Sequence, residues 1–281
     1  GLYFAVSHKD VFWLSESADL TTYKDKKAQV NARNREEREQ VRDIGDIPAV
    51  VDWGRRESCE NDLVRFLTPY MPASFPCPFS QKHLEAIARL QGALTKGGRT
   101  LPILPRGFGK STICVGSAVW AILYGHRFFV PIITASDESA KDRIGTIKSL
   151  LESSELLYED FPEVCHPARC LEGIPQRAGG QMYQGEVTRM SWRTFKIILP
   201  NIPELDPARR QCRASGAVIV ACGITSRRIR GLQHHLPNGK VVRPDFALLD
   251  DPQDDECVKN PARVDKLMEI FNKSIIGISG H

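Results

Sequence analysis

The sequence predicts an α/β fold, a mostly parallel sheet flanked by helices, preceded by a charged N-terminal extension. Three observations carry the prediction. Leu101-Pro102-Ile103-Leu104-Pro105-Arg106-Gly107-Phe108-Gly109-Lys110-Ser111-Thr112 passes from a short apolar stretch through a glycine-containing turn into a long apolar segment. That is the strand–loop–helix order of a phosphate-binding loop. Phe246-Ala247-Leu248-Leu249-Asp250-Asp251 is an apolar run ending in carboxylates, the pattern of a buried parallel strand that delivers an acid at its C-terminal end. Two further buried-strand patterns, 128–134 and 217–224, lie between them.

Taken in order, residues 24–43 are dense in both charge signs and poor in large apolar side chains, which reads as an exposed helix or a partly disordered arm. Residues 48–56 read as a linker. Residues 59–70, with Leu63, Val64, Phe66 and Leu67, read as a short helix on the core, and Pro69, Pro72, Pro76 and Pro78 then break the chain. Ser80 is a good N-cap for a helix over 81–94, with Phe79 and Leu84 at the positions of a hydrophobic staple. Leu84, Ile87, Leu90 and Leu94 give that helix a buried stripe, and Gly97-Gly98 end it. The apolar segment 112–124 is the helix after the loop, stopped by Gly125. Beyond the strand at 128–134, a helix begins near Ser136 with Ala140, Ile144, Ile147 and Leu151 on one face. Residues 152–190 read as irregular, 194–199 as a strand and 200–215 as a loop rich in Pro and Arg. The expected division is an arm and linker over 1–58 and one phosphate-loop domain over 59–281.

A chain of 281 residues suffices for one such domain plus an extension. Its 42% hydrophobic and 26% charged content is that of an ordinary globular protein. No apolar run approaches the ~20 residues that span a bilayer, and no secretory pattern opens the sequence. Eight cysteines occur without a Cys-x-x-Cys pair, and Cys165-His166…Cys170 has no partner cluster at zinc spacing. All eight read as reduced thiols in a cytosolic compartment. The first residue is Gly1, so the chain reads as a fragment or a processed form. A net charge of +4 is mild, but its distribution is not even. No acid occurs between Pro207 and Pro244, where Arg209, Arg210, Arg213, Arg227, Arg228, Arg230, Lys240 and Arg243 lie. Asp245, Asp250, Asp251, Asp254, Asp255 and Glu256 follow. Such a pair of blocks suits a site that handles phosphate and metal together; a solvated charged face is the plainer account of many of these residues.

The chemistry explains the residue types. Gly107 and Gly109, on either side of Phe108, let backbone N–H groups turn inward around phosphate oxygens, helped by the positive end of the next helix. Lys110 is placed to reach the β- and γ-phosphates, and the Ser111 hydroxyl to sit on Mg²⁺. Asp250 is placed to hold the same metal through water, and Asp251 to orient the attacking water. The loop departs from the usual pattern in having Leu104 where a glycine is common and Arg106 inside it; taken alone, it also reads as a surface turn. Phe79 and Gln81 are candidates for base recognition or simply for capping a helix. Arg228 and Arg230 follow the strand at 217–224, where an arginine can act on the γ-phosphate or bind DNA; Arg230, acting in trans, is the expected finger.

These residues also resemble a known family, the large terminase subunit of tailed double-stranded-DNA bacteriophages, the motor that packages DNA into proheads. The resemblance runs through Pro105-Arg106-Gly107-Phe108-Gly109-Lys110-Ser111-Thr112, Tyr124-Gly125-His126-Arg127-Phe128 and Asp160-Phe161-Pro162-Glu163-Val164-Cys165. It continues through Arg228-Ile229-Arg230-Gly231 and Arg243-Pro244-Asp245 to Leu249-Asp250-Asp251-Pro252-Gln253-Asp254-Asp255-Glu256. It implies an ATPase of the ASCE type, with an extra strand between the two motif strands, followed by an RNase H-like nuclease domain. It further implies that Arg106 stabilises charge on the γ-phosphate and that Thr112 bonds the α-phosphate. The implied cofactors are ATP and Mg²⁺. The implied partners are double-stranded DNA, the portal protein, the small terminase subunit and copies of the chain itself in a ring, with no membrane. The implied location is the host cytoplasm, outside the mature virion. Most ATPases of this class have Glu where Asp251 stands, which leaves Glu256 and Asp254 as alternative carboxylates. The chain stops at His281, before the nuclease acids are expected. The rival readings are a phosphate-loop helicase or other DNA-stimulated ATPase, and a catalytically weak nucleic-acid-binding assembly protein.

Overall fold

The computed structural model describes residues 42–273 apart from 103, 106, 203–211, 230, 254–260 and 271, and only the backbone at 261–263 and 266. Backbone contacts divide the chain into Gly1–Arg42 and Asp43–His281. The second unit begins with three helices. α1 (Trp53–Glu60) and α2 (Leu63–Tyr70) each start on an aspartate, Asp52 and Asp62, whose side chain accepts a first-turn backbone N–H. The linker expected over 48–56 therefore runs into a helix that belongs to the core, since Arg56 and Cys59 are buried on it. α3 (Gln81–Lys96) starts at Ser80 as the sequence indicates, in a capping box whose third-position partner is His83. Its buried face is Ala86, Ile87, Leu90, Ala93 and Leu94, and Leu84 is 37% exposed. Six residues separate Leu84 from Leu90, which puts it about 120° around the helix from the centre of that face.

α4 (Lys110–Leu123) is the central helix. Every residue from Ile113 to Leu123 is buried, so the helix is covered on all sides. A Cβ at Gly116 would come 2.3 Å from Leu67 Cδ2 and 2.8 Å from Met71 Sδ, so α2 packs directly on the α4 backbone. After α4 come β1 (Phe129–Thr134) and α5 (Asp137–Ser153), which buries Ala140, Ile144, Ile147 and Leu151 as expected. The stretch 152–190 is more ordered than its sequence suggests. It holds α6 (Glu155–Asp160), α7 (Pro162–Arg169), a 3₁₀ turn over Pro175–Gly180 and a small hairpin of β2 (Met182–Tyr183) and β3 (Glu186–Val187). The two helices are too short to show a 3.6-residue period, but Ser154 caps one and Pro162 sits in the first turn of the other.

The remaining strands are β4 (Ser191–Arg193), β5 (Lys196–Ile198), β6 (Val218–Gly223), β7 (His234–His235), β8 (Val241–Val242) and β9 (Leu248–Leu249), before α8 (Pro261–Ile270). Five of the strands form one sheet in the order β4-β5-β6-β1-β9, flanked by helices; β7 and β8 pair separately. β6 and β9 run parallel to β1 on its two sides, while β5 is antiparallel to β6 and β4 to β5. The sheet is thus mixed rather than mostly parallel. The reason is local: only Thr194 and Phe195 separate β4 from β5, and so short a connection can join only antiparallel strands. The strand expected before the loop is also not formed at the described residues Leu101, Pro102, Leu104 and Pro105. Pro102 and Pro105 have no N–H to give a ladder. Seven described cysteines are free thiols. Among the described residues no helix is long and apolar enough to cross a membrane.

Two polar constructions hold these layers together. The first joins α1 to α6 and α7. Arg55 pairs with the fully buried Asp160 at 2.6 Å, and the Tyr70 hydroxyl donates to the same carboxylate. Arg56 pairs with the fully buried Glu163 at 2.7 Å, donates to the Asp160 carbonyl at 2.6 Å and lies 4.4 Å over the Phe161 ring. Burial pushes the Glu163 carboxyl up, and Arg56 opposes the shift. The second sits where β6 ends against α5. Gly223 N–H donates to Asp137 Oδ1 at 2.9 Å, and a Cβ on Gly223 would lie 2.8 Å from backbone atoms of both Ser136 and Asp137.

Two outcomes are expected. Glu163→Ala strands the Arg56 guanidinium in the core and should cost about 3–5 kcal/mol in urea unfolding. Gly223→Ala forces backbone against backbone and should cost about 1–3 kcal/mol in the same assay, with no gain from the added methyl.

Candidate functional site

The loop that enters α4 is built on two glycines in the left-handed region, Gly107 at φ +85° and Gly109 at φ +64°. Other residues are strained there, which accounts for both glycines. Gly109 is the N-cap of α4, so Lys110, Ser111 and Thr112 form its first turn. Their N–H groups have no partner within the helix and carry its positive end. All three side chains are half-buried. A loop of this shape at the start of a 14-residue helix can offer backbone donors to an anion.

An aromatic ladder braces the loop from the side of α3. Phe75 and Phe79 lie 4.9 Å apart, Phe79 and His83 5.9 Å apart, and His83 stacks on Phe108 at 4.9 Å and 25°. His83 Nε2 is 3.3 Å from the Phe108 carbonyl, and a Cβ on Gly109 would meet the Phe75 ring at 3.7 Å. Of the two base-recognition candidates, Phe79 is part of this ladder. Gln81 is exposed, and its amide donates to Glu85 on its own helix at 3.3 Å. His83, which the sequence does not single out, stacks on the loop from α3. Its position three residues after the N-cap was the available signal.

The second motif reaches the loop through β9. The Asp245 carboxylate accepts the N–H groups of Phe128 at 2.7 Å and Phe129 at 3.0 Å, and Asp245 N–H donates to the Phe129 carbonyl at 3.1 Å. At the other end of the strand, Asp250 N–H donates to the Ile133 carbonyl at 2.8 Å. This register delivers the Asp250 side chain, 1% exposed, to the first turn of α4. Ser111 Oγ donates to Asp250 Oδ1 at 2.9 Å. Arg143, from α5, completes the group: its Nε lies 2.5 Å from Asp250 Oδ2 and its Nη2 3.0 Å from Ser111 Oγ. Asp250 is therefore paired with Arg143. Beside them, burial pushes the Cys114 thiol up and the charge of Asp250 adds to the shift. Arg143 was not singled out from the sequence. It sits three residues after Ala140 and four before Ile147, on the rim of a buried stripe, where a charged residue is brought against the core.

Other expected residues are placed less centrally. Asp251 is exposed at φ +48°, a conformation that Asp adopts more readily than most residues. Arg228 donates to Asp137 at 2.7 Å and lies 3.9 Å over the Phe195 ring, so its own chain holds it. The hydrogen bond from Gly223, followed by that from Arg228, keeps the Asp137 carboxyl below the usual range against the pull of burial. Arg106, Arg230, Asp254 and Glu256 lie outside the described residues.

The donor set at Ser111 and Asp250 fits Mg²⁺. A hydroxyl and one carboxylate, 2.9 Å apart, are the small set of oxygen ligands this ion uses when waters and phosphates fill its other positions. Among the described residues no group of three or more His, Cys, Asp or Glu is gathered as an all-protein metal cage. Set against protein-family models, curated proteins and solved structures, the chain matches none of them.

Proposed function

We propose that this chain is a phosphate-loop ATPase of the ASCE type, and that it supplies the ATPase part of a phage terminase large subunit, moving double-stranded DNA into proheads. The observation that supports the ATPase reading most is the 2.9 Å contact between Ser111 and Asp250. These residues belong to two motifs far apart in sequence, and a phosphate-loop enzyme needs them on the same metal. The terminase assignment rests on the sequence resemblance, including the arginine-bearing loop Arg106-Gly107-Phe108-Gly109-Lys110.

In this reading the Gly107–Gly109 turn and the first N–H groups of α4 hold the phosphates, and Lys110 adds its charge at the β- and γ-positions. Thr112 bonds the α-phosphate. Ser111 and Asp250 would hold Mg²⁺, which would supply charge neutralisation for the phosphates. Asp251 orients the attacking water, next in sequence to the metal-holding acid and free of the pairing that occupies Asp250. Arg106 from the loop, and Arg230 from a neighbouring copy in a ring, neutralise charge as the γ-phosphate leaves. The phosphate-dependent order of these segments drives movement of the DNA. The partners are DNA, the portal protein and the small subunit, and the place of action is the host cytoplasm.

Lys110→Ala should weaken binding of a fluorescent ATP analogue by at least about tenfold, with an unchanged circular dichroism spectrum, because one charge-assisted contact is lost. Equal binding by the wild type and a folded Lys110→Ala protein would remove the phosphate-loop reading. Asp251→Asn should bind the analogue normally and turn over ATP about 10²-fold more slowly or worse, as befits a group that acts on the chemical step. Normal turnover by Asp251→Asn together with inactivity of Glu256→Gln would transfer the water-orienting role to Glu256.

A further inference from the structure

The Asp250 carboxylate is buried, and a buried charge must be compensated. Here the compensation comes from Arg143, which uses one edge of its guanidinium: Nε toward Asp250 and Nη2 toward Ser111. Ser111 Oγ spends its proton on Asp250 and accepts from Arg143. Ser111 Oγ has two lone pairs and Arg143 takes one of them, so a divalent cation on the other would stand in contact distance of a second positive charge. At so buried a site the two cations repel one another strongly at this oxygen.

We infer that Arg143 is the resident counter-cation of Asp250, and that a divalent cation enters the Ser111–Asp250 pair only as Arg143 leaves Ser111. The inference deepens the proposed function and rests on it for the nucleotide, though not for the competition between cations. The means of leaving are on the side chain itself. Arg143 is 24% exposed, whereas its partner carboxylate is 1% exposed. The helix below it is fixed by Ala140, Ile144, Ile147 and Leu151, so the movement is a rotation of the arginine and not of α5. A guanidinium released there stays tethered beside the loop, facing the end at which a bound triphosphate carries its negative charge. Arg143 thereby acts as a positioning residue: it keeps Ser111 and Asp250 in register before metal arrives and changes partner when it does.

The test is made without nucleotide. Thermal unfolding of the full chain is followed during a MgCl₂ titration at constant ionic strength, for the wild type, Arg143→Gln and Arg143→Gln/Asp250→Asn. Arg143→Gln should have a lower midpoint in metal-free buffer. Its midpoint should rise with Mg²⁺ at a concentration about tenfold or more below that needed by the wild type, the size of an ordinary coupling between two ligands. The double variant should lose this response. A merely structural arginine would lower the midpoint without changing the Mg²⁺ dependence, so equal Mg²⁺ dependence in wild type and Arg143→Gln overturns the inference. If Arg143→Gln does not fold, Arg143→Lys serves. Its single-point ammonium grips Ser111 and Asp250 less completely, so Mg²⁺ should act at a lower concentration than on the wild type; an unchanged concentration overturns the inference. Binding of the ATP analogue is scored separately. An Asp250-dependent Mg²⁺ response in a protein that binds no ATP would uphold the role of Arg143 and remove the ATPase reading. Normal ATP binding with an unaltered Mg²⁺ response would do the reverse.

Discussion

The pairing of β9 with β1 is the constraint on which the site depends. The ladder is only two residue pairs long, Ile132 with Leu248 and Ile133 with Leu249. So short a ladder fixes register weakly, and a slip of one residue would turn Asp250 to the other face. The Asp245 carboxylate supplies what the ladder lacks. It takes two successive N–H groups at the start of β1, and the Asp250 N–H closes the other end on Ile133. One acid of the Asp-rich stretch thus sets the strand so that another can face Ser111. The expectation that this acidic block serves phosphate and metal chemistry is therefore too broad: Asp245 serves the backbone.

A second support stands behind α4. α2 lies against its backbone at Gly116, and α1 is fastened to α6 and α7 through Arg55, Arg56, Asp160 and Glu163. Buried ion pairs of this kind add little net stability over an apolar packing of equal volume, but they tolerate few alternative arrangements. Their place here, between α1 and the α6–α7 pair, fits a requirement for one orientation of the helix that carries the loop. The aromatic ladder from Phe75 to Phe108 adds a restraint on the loop itself.

Much of this was legible in the sequence where the signal was long or chemically distinctive. The runs at 129–134 and 218–223 are fully buried strands, and α5 buries the four residues its period indicated. The Ser80 cap, the glycine turn and the meeting of Ser111 with Asp250 follow from residue types that have few other uses. What was hidden was short or non-local. α6 and α7 span less than three turns each, the β4–β5 hairpin turns on two ordinary residues, and two prolines keep the approach to the loop out of the ladder. Arg143 was hidden for a different reason. Its partners lie 32 and 107 residues away in the chain, and a lone arginine on a helix gives no sign of what the sheet will bring to it.

The close approach of Gly223 to the start of α5 also has a mechanical meaning. It pins the helix at Ser136 and Asp137, and Arg143 lies six residues on, an arm of about 9 Å. Tilting such an arm by roughly 5° displaces the arginine by only about 0.8 Å. With its fulcrum so near its load, α5 moves the arginine little when it tilts on the sheet. The junction works as a damper, leaving the torsion angles of one side chain as the soft coordinate of the site.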